Sequence, residues 1–225
     1  PLNQVAKNVQ LLEMRYQNAL DEAANEYIGY VVGGVSLMQT LIDDVLAYSK
    51  VDMQGIEFAP ISAEQALEKA LKNIRRRIEQ TGATITHDEM PTVMADSTQL
   101  MQLFQNLIAN AIKFHSEKPP EIHIDVSRSE DEWLFSVRDN GIGIEPRFSD
   151  RIFVIFQRLH TRDEYPGTGM GLAICKKIAE CHRGNIWVES QLGEGATFNF
   201  TIPLKGRESE RRNGRKTQDN IFGRG

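Results

Sequence analysis

Residues 1–50 place apolar side chains at alternating steps of three and four. The first stretch carries Leu2, Val5, Val9, Leu12 and Tyr16. The second carries Ile28, Val31, Val35, Met38, Ile42 and Val45. This is the a/d seam of a coiled coil or helical bundle. The break near Leu20–Glu22, with Asp21 placed to cap the second helix, predicts an antiparallel hairpin. Val32, Leu37 and Leu41 widen the apolar face beyond what one hairpin covers. The spacing therefore predicts that two hairpins pair as a four-helix bundle, making the chain a homodimer through residues 1–50.

The chain has 225 residues, enough for one large or two small domains. With 40% hydrophobic and 25% charged residues it is neither disordered nor collagen-like. No apolar run approaches the roughly 18 residues that cross a bilayer, so no membrane segment is expected. Residues 1–20 lack the apolar core and cleavage site of a secretory signal. Cys175 and Cys181 cannot make a disulfide framework, which points to a reducing, cytoplasmic setting. The net charge is −5, yet residues 205–225 hold seven Lys or Arg against three Asp or Glu. The body is therefore acidic and a poor match for nucleic acid, and Arg75-Arg76-Arg77 reads as a solvated helix face. The basic tail reads as solvated and disordered.

Four segments are expected: a helical hairpin over 1–52, a linker over 53–60, a second domain over 61–204 and the tail over 205–225. In the second domain Ser62 and Asp96 sit as caps before two helices, the later one running to about Phe114. Short strands are predicted at 83–87 and 92–95. Alternating strands follow around Ile122–Val126 and Trp133–Val137, then a helix near Met170–His182 and a hairpin of Ile186–Ser190 with Thr197–Ile202. The class is α+β, with a mostly antiparallel sheet and helices on one face, an α/β sandwich. Asp139 to Gly169 is too long for a simple connection, the usual mark of a functional or mobile loop.

Four features of this domain carry chemistry. Asn106, Asn110 and Lys113 share a helix face at i, i+4 and i+7. An Asn carbonyl suits a hard cation such as Mg²⁺, and a lysine suits phosphate. Asp139-Asn140-Gly141-Ile142-Gly143-Ile144 follows a strand. A strand-end carboxylate accepts a hydrogen bond from the exocyclic amine of adenine, whereas guanine presents a repelling carbonyl there. Gly167-Thr168-Gly169-Met170-Gly171 opens a helix, where free N–H groups and the helix dipole favour phosphate. It is neither a Walker loop nor a dinucleotide fingerprint. Gly193-Glu194-Gly195-Ala196-Thr197 turns the last hairpin. Singly, each feature has a bland reading as a surface helix or a turn. Their joint order does not.

In that order the second domain resembles the catalytic ATP-binding domain of sensor histidine kinases, within the superfamily that includes gyrase and the heat-shock chaperones. Asn106–Phe114 is similar to the N box, Asp139–Ile144 to the G1 box and Ile152–Phe156 to the F box. Gly167–Leu172 is similar to the G2 box, and Gly193–Thr197 to the last glycine box. The run from Phe156 to Glu180 looks like phytochrome-type and archaeal kinases. The resemblance implies ATP and Mg²⁺ as ligands, with Asn110 on the metal and Asn106 shaping that site. It implies Lys113 on phosphate and Asp139 on the adenine amine, with Phe114 and Ile144 completing their boxes. Gly141 and Gly143 would make room for the base, and Thr197 would support adenine through water. Phe153 and Phe156 would anchor a lid over the site, and Arg158 would reach the γ-phosphate. Gly167, Thr168, Gly169, Met170, Gly171 and Leu172 would wrap the phosphates. Asn110, Lys113 and Arg158 would be the catalytic residues. Val154-Ile155 stands where an acidic residue and proline are common.

The resemblance also implies γ-phosphoryl transfer to a histidine on the hairpin and relay to an aspartate of a response-regulator receiver domain. Pro1-Leu2-Asn3 resembles the end of the box that carries that histidine. None of the five histidines, His87, His115, His123, His160 and His182, falls in the hairpin. His87, His123 and His182 read as surface or partly buried. The expectation is a chain that binds Mg-ATP and dimerises without phosphorylating itself. The alternative is a non-kinase ATPase of the same superfamily with an ATP-gated dimer clamp.

Overall fold

Three side chains start three helices in the computed structural model, which describes residues 1–16, 19–51, 58–161, 164–165 and 167–204. Asp21 Oδ1 accepts the Ala24 N–H at 2.8 Å. Ser62 Oγ accepts the Gln65 N–H at 3.3 Å, and Asp96 Oδ1 accepts the Gln99 N–H at 2.8 Å. Each such cap contributes about 1 kcal/mol by satisfying a donor that the helix leaves unpaired. Most of the expected linker, and the basic tail, lie outside the described residues.

The chain divides into two compact units, Pro1–Lys50 and Val51–Gly225. The first is a hairpin of α1 (Leu2–Tyr16) and α2 (Glu22–Lys50). A hydrogen bond from Gln39 to Asn3 fixes its antiparallel register. The heptad seam does not act as one surface. Ile28 and Val35 are buried, while no residue of α1 is. Val31, Met38, Ile42 and Val45 stay 43–50% exposed along α2. By length and composition alone α2 is apolar enough to cross a membrane, contrary to expectation. The same apolar residues make the hairpin seam.

The second unit is built on two sheets. β1 (Ala59–Ser62) pairs antiparallel with β3 (Thr92–Ala95). The main sheet has β2 (Thr84–His87), β4 (Glu121–Arg128), β5 (Glu132–Asp139), β7 (Ala196–Pro203) and β6 (Ile186–Ser190), in that spatial order. All its pairs are antiparallel except β2 with β4, a parallel pairing that the short 83–87 strand did not announce.

Helices α3 (Ala63–Thr81), α4 (Ser97–Lys113) and α5 (Gly171–Cys181) complete the α/β sandwich. Period-two alternation sends Ile122, Ile124, Phe135, Val137, Phe198, Phe200 and Ile202 into the core. Phe104 of α4 meets Phe135 and Phe200 edge-on at 5.8 and 5.6 Å, and those two rings stack at 4.9 Å. Burying each such ring contributes roughly 1.5–3 kcal/mol. This packing holds α4 by its apolar stripe and leaves its polar row along the rim. The long segment after β5 contains two short 3-10 turns, Pro146–Phe148 and Arg151–Phe153.

Candidate functional site

Asp139 ends β5 with its carboxyl drawn into the domain. Its Oδ1 accepts the N–H of Gly141 at 2.8 Å and of Ala196 at 3.2 Å. Burial pushes the carboxyl above its ordinary value, while these two donors pull the other way. Oδ1 is thus spent on the protein, and Oδ2 has no partner among the described residues. An oxygen held in this way is a fixed acceptor for an exocyclic amine.

The loop after Asp139 is interlocked with the last glycine turn. Ile142 donates to the Phe114 carbonyl, and Gly193 donates to the Ile142 carbonyl. Ser190 Oγ accepts from Ile144 N–H at 2.8 Å and donates to the Gly195 carbonyl at 2.6 Å. A Cβ on Gly141 would lie 2.4 Å from the Phe114 carbonyl oxygen. One on Gly143 would lie 2.1 Å from that of Gln191. The space these glycines create is filled by the protein's own backbone, so they lock loops together. Asn140, just before them, bonds Glu121 N–H and the Pro119 carbonyl and so pins the start of β4.

Strand alternation turns Thr197 to the face of Arg138 and Glu189, its register partners. Alternation puts that face away from Asp139, and Thr197 makes no hydrogen bond to Asp139 among the described residues. The residue that reaches Asp139 is Ala196, through its backbone N–H. A one-residue shift reverses the face in a strand.

On α4 the polar row divides its work. Asn106 Nδ2 donates to the Gly171 carbonyl at 3.2 Å, tying α4 to the first turn of α5. Asn110 is half-buried, and its side chain has no partner among the described residues. Its carbonyl oxygen is therefore available to a hard cation, and the donor type fits Mg²⁺. Lys113 lies over the Phe114 ring at 4.3 Å. Burial, then the guanidinium groups of Arg158 and Arg77, lower its ammonium to about 8. Its Nζ lies 2.9 Å from where a Gly167 Cβ would be, so lysine and glycine loop share one place.

The N-terminus of α5 has no side-chain cap, which leaves its first N–H groups for an anion. Gly169 takes a left-handed φ of 77°, and a Cβ there would meet the Gln157 carbonyl oxygen at 2.9 Å. Thr168 Oγ1 accepts the Met170 N–H. The Met170 side chain is buried in the core, so only its backbone is placed near the loop. Leu172 lies half-buried on the first turn of α5.

The lid residues differ in their surroundings. Phe153 is buried, as an anchor must be, but Phe156 is 53% exposed at a φ of 61°. The left-handed backbone swings Phe156 outward beside exposed Val154 and Ile155. Arg158 is held by three carbonyls of its own loop. Its Nη1 donates to the Gly167 carbonyl at 2.8 Å, and its Nη2 to those of Thr161 and Tyr165 at 3.0 and 2.7 Å. Around it, Phe114, His160 and Tyr165 form an aromatic cluster with centroids 4.9–6.0 Å apart. Sequence reasoning missed Ser190, Ala196 and Tyr165. The first two act through a small hydroxyl and a backbone N–H, which leave no composition signal.

His182, expected as surface or partly buried, is fully buried. Its Nε2 accepts the Asp96 N–H at 3.1 Å and its Nδ1 faces the Ile178 carbonyl at 2.8 Å. Desolvation lowers its pKa.

Residues 95–206 match the histidine kinase-, DNA gyrase B-, and HSP90-like ATPase family. The chain is 78% identical over 222 residues to cyanobacterial phytochrome A of Nostoc sp., covering 99% of this chain and 29% of that protein. It is 62% identical over 204 residues to the phytochrome-like protein Cph1 of Synechocystis sp., covering 91% of this chain and 27% of that one. Full-length ShkA in complex with AMPPNP superposes with a TM-score of 0.69 at 28% identity, covering 92% of this chain and 43% of that one. The chain thus spans less than a third of these two curated relatives.

The sandwich is that of an ATP-binding domain of this ATPase family. Within it, the chain belongs with the catalytic domains of phytochrome-type sensor histidine kinases.

Proposed function

We propose that this domain holds ATP with its adenine amine on Asp139 Oδ2 and its phosphates between Lys113 and the N-terminus of α5. The observation that carries the reading is the division of labour at Asp139, one oxygen fixed by two backbone donors and one left unpartnered. The AMPPNP complex of ShkA supports a nucleotide in a related domain. Asn110 is the residue to hold Mg²⁺, because its amide oxygen has no other partner among the described residues. Bound there, the ion would neutralise charge on the phosphates. Arg158 positions the loop that closes over them.

The whole protein is proposed to transfer the γ-phosphoryl group to a histidine that this chain does not contain, for relay to a response-regulator aspartate. All five histidines of the chain lie in the second unit, and none lies on α1 or α2. The hairpin is proposed to dimerise. The exposed stripe of Val31, Met38, Ile42 and Val45 supports this, because a second hairpin would cover it. A cytoplasmic setting is proposed, and the free thiols of Cys175 and Cys181 support it.

Calorimetric titration with AMPPNP and Mg²⁺ tests the binding. One nucleotide per chain is expected, with weaker binding when EDTA replaces Mg²⁺. Incubation with γ-labelled ATP should leave no acid-labile label on this chain. Absence of binding contradicts the site, and label on the chain contradicts the account of the acceptor.

A further inference from the structure

We propose that Asp88, His123 and Asp125 form a binding site for a divalent transition-metal ion on the sheet face opposite the helices. β4 alternates Ile122 and Ile124 into the core, which sends His123 and Asp125 outward. The parallel register pairs Thr86 of β2 with His123, and Asp88 follows two residues later, beside Asp125. One donor atom from each of Asp88, His123 and Asp125 lies within 4.8 Å of the other two.

The orientation of the three groups carries the inference. Each holds one polar atom on a partner outside the trio and turns the other inward. His123 Nδ1 is 2.7 Å from Thr86 Oγ1. Asp125 Oδ2 accepts from Arg138 at 2.9 Å, and Asp88 Oδ2 accepts the Val126 N–H at 3.3 Å. What remains facing inward is His123 Nε2, 3.2 Å from Asp125 Oδ1 and 3.7 Å from Asp88 Oδ1. Outer partners of this kind fix the ring and carboxylates of a metal site.

In the tautomer that donates Nδ1–H to Thr86, the Nε2 lone pair faces two carboxylate oxygens, and a cation between them satisfies all three. Metal–ligand distances of about 2.0–2.2 Å at tetrahedral angles separate donor atoms by about 3.3–3.6 Å. The two Nε2–oxygen separations are close to that spacing. One imidazole and two carboxylates suit a first-row ion such as Zn²⁺. The side chains are 37–47% exposed, so the ion keeps water in its remaining positions. It would tie the end of β2, a four-residue edge strand, to β4.

The test uses the full chain without affinity tag or nucleotide, treated with chelator and titrated with ZnCl₂ by calorimetry. The expected result is one ion per chain, with affinity at least tenfold weaker in Asp125→Asn and in His123→Gln. The His123 Nε2 nitrogen resonance should shift to its metal-bound position. Asp125→Asn keeps the size of the side chain, and unchanged circular dichroism shows that it folds. Three results overturn the site: no binding, an affinity in both variants equal to that of the wild type, or an Nε2 resonance that does not move while Zn²⁺ binds elsewhere.

Discussion

The Arg158 guanidinium donates to the Gly167 carbonyl at 2.8 Å, and this bond ties Arg158 to the glycine turn that precedes α5. The same fork takes the carbonyls of Thr161 and Tyr165. Three carbonyls on one planar group hold Thr161, Tyr165 and Gly167 about Arg158. Gly167 in turn lies against Lys113.

Arg158→Lys keeps the charge and loses the planar fork. Amide hydrogen exchange at Thr161 and Tyr165 should speed up, and nucleotide affinity should fall about tenfold. Unchanged exchange would mean that the loop is held by its aromatic cluster alone.

Lys113 has a sign that calorimetry can read. Its ammonium is lowered to about 8, and bound phosphate favours the charged form. Below pH 8 the free protein already carries the charge. Above pH 8 binding must take up a proton, so the dissociation constant should rise by up to tenfold per pH unit. Lys113→Met should bind more weakly and lose that slope. A wild-type affinity flat from pH 7 to 9.5 contradicts the role.

His182 predicts an opposite limb in stability. Its folded pKa lies below the ordinary value of 6.5, so the folded state holds it neutral. As pH falls below 6.5 the unfolded chain takes up the proton first. Stability is therefore full above that pH and is lost as pH falls toward the folded pKa. His182→Ala should cost about 1–3 kcal/mol at pH 7 by leaving the Asp96 amide without its imidazole partner. Its urea-unfolding midpoint should vary less with pH between 5 and 7 than that of the wild type.

Ile42→Glu places a charge in the exposed stripe of α2 and touches none of the buried hairpin residues. It should convert a dimer to a monomer in sedimentation velocity while leaving nucleotide affinity unchanged. A wild-type chain that sediments as a monomer at high micromolar concentration contradicts the dimer.

What was legible in the sequence was local. Asp21, Ser62 and Asp96 announce their helices because a cap depends on three residues of spacing. Ile122, Phe135 and Phe198 announce the sheet face because alternation is a period of two. The parallel pairing of β2 with β4 joins residues 37 apart in the chain, such as Thr84 and Glu121, and has no local sign. The site divides in the same way. The order of the Asn, Asp and glycine motifs is readable, but the direction of Arg158 is set by carbonyls that any residue carries. Phe156 turns outward through a backbone angle, and Thr197 faces away because Ala196 takes the place beside Asp139.

The central claim is that Asp139 Oδ2 holds the adenine amine. The direct measurement is the dissociation constant of ATP and of GTP for the wild type and for Asp139→Asn. The asparagine Oδ1 keeps the bonds to Gly141 and Ala196, while its Nδ2 sets a donor against a donor. The account predicts a wild type that prefers ATP, and a variant whose ATP affinity is more than about tenfold weaker with most of that preference gone. Equal ATP affinity in the two proteins, with the preference for ATP intact, would contradict it.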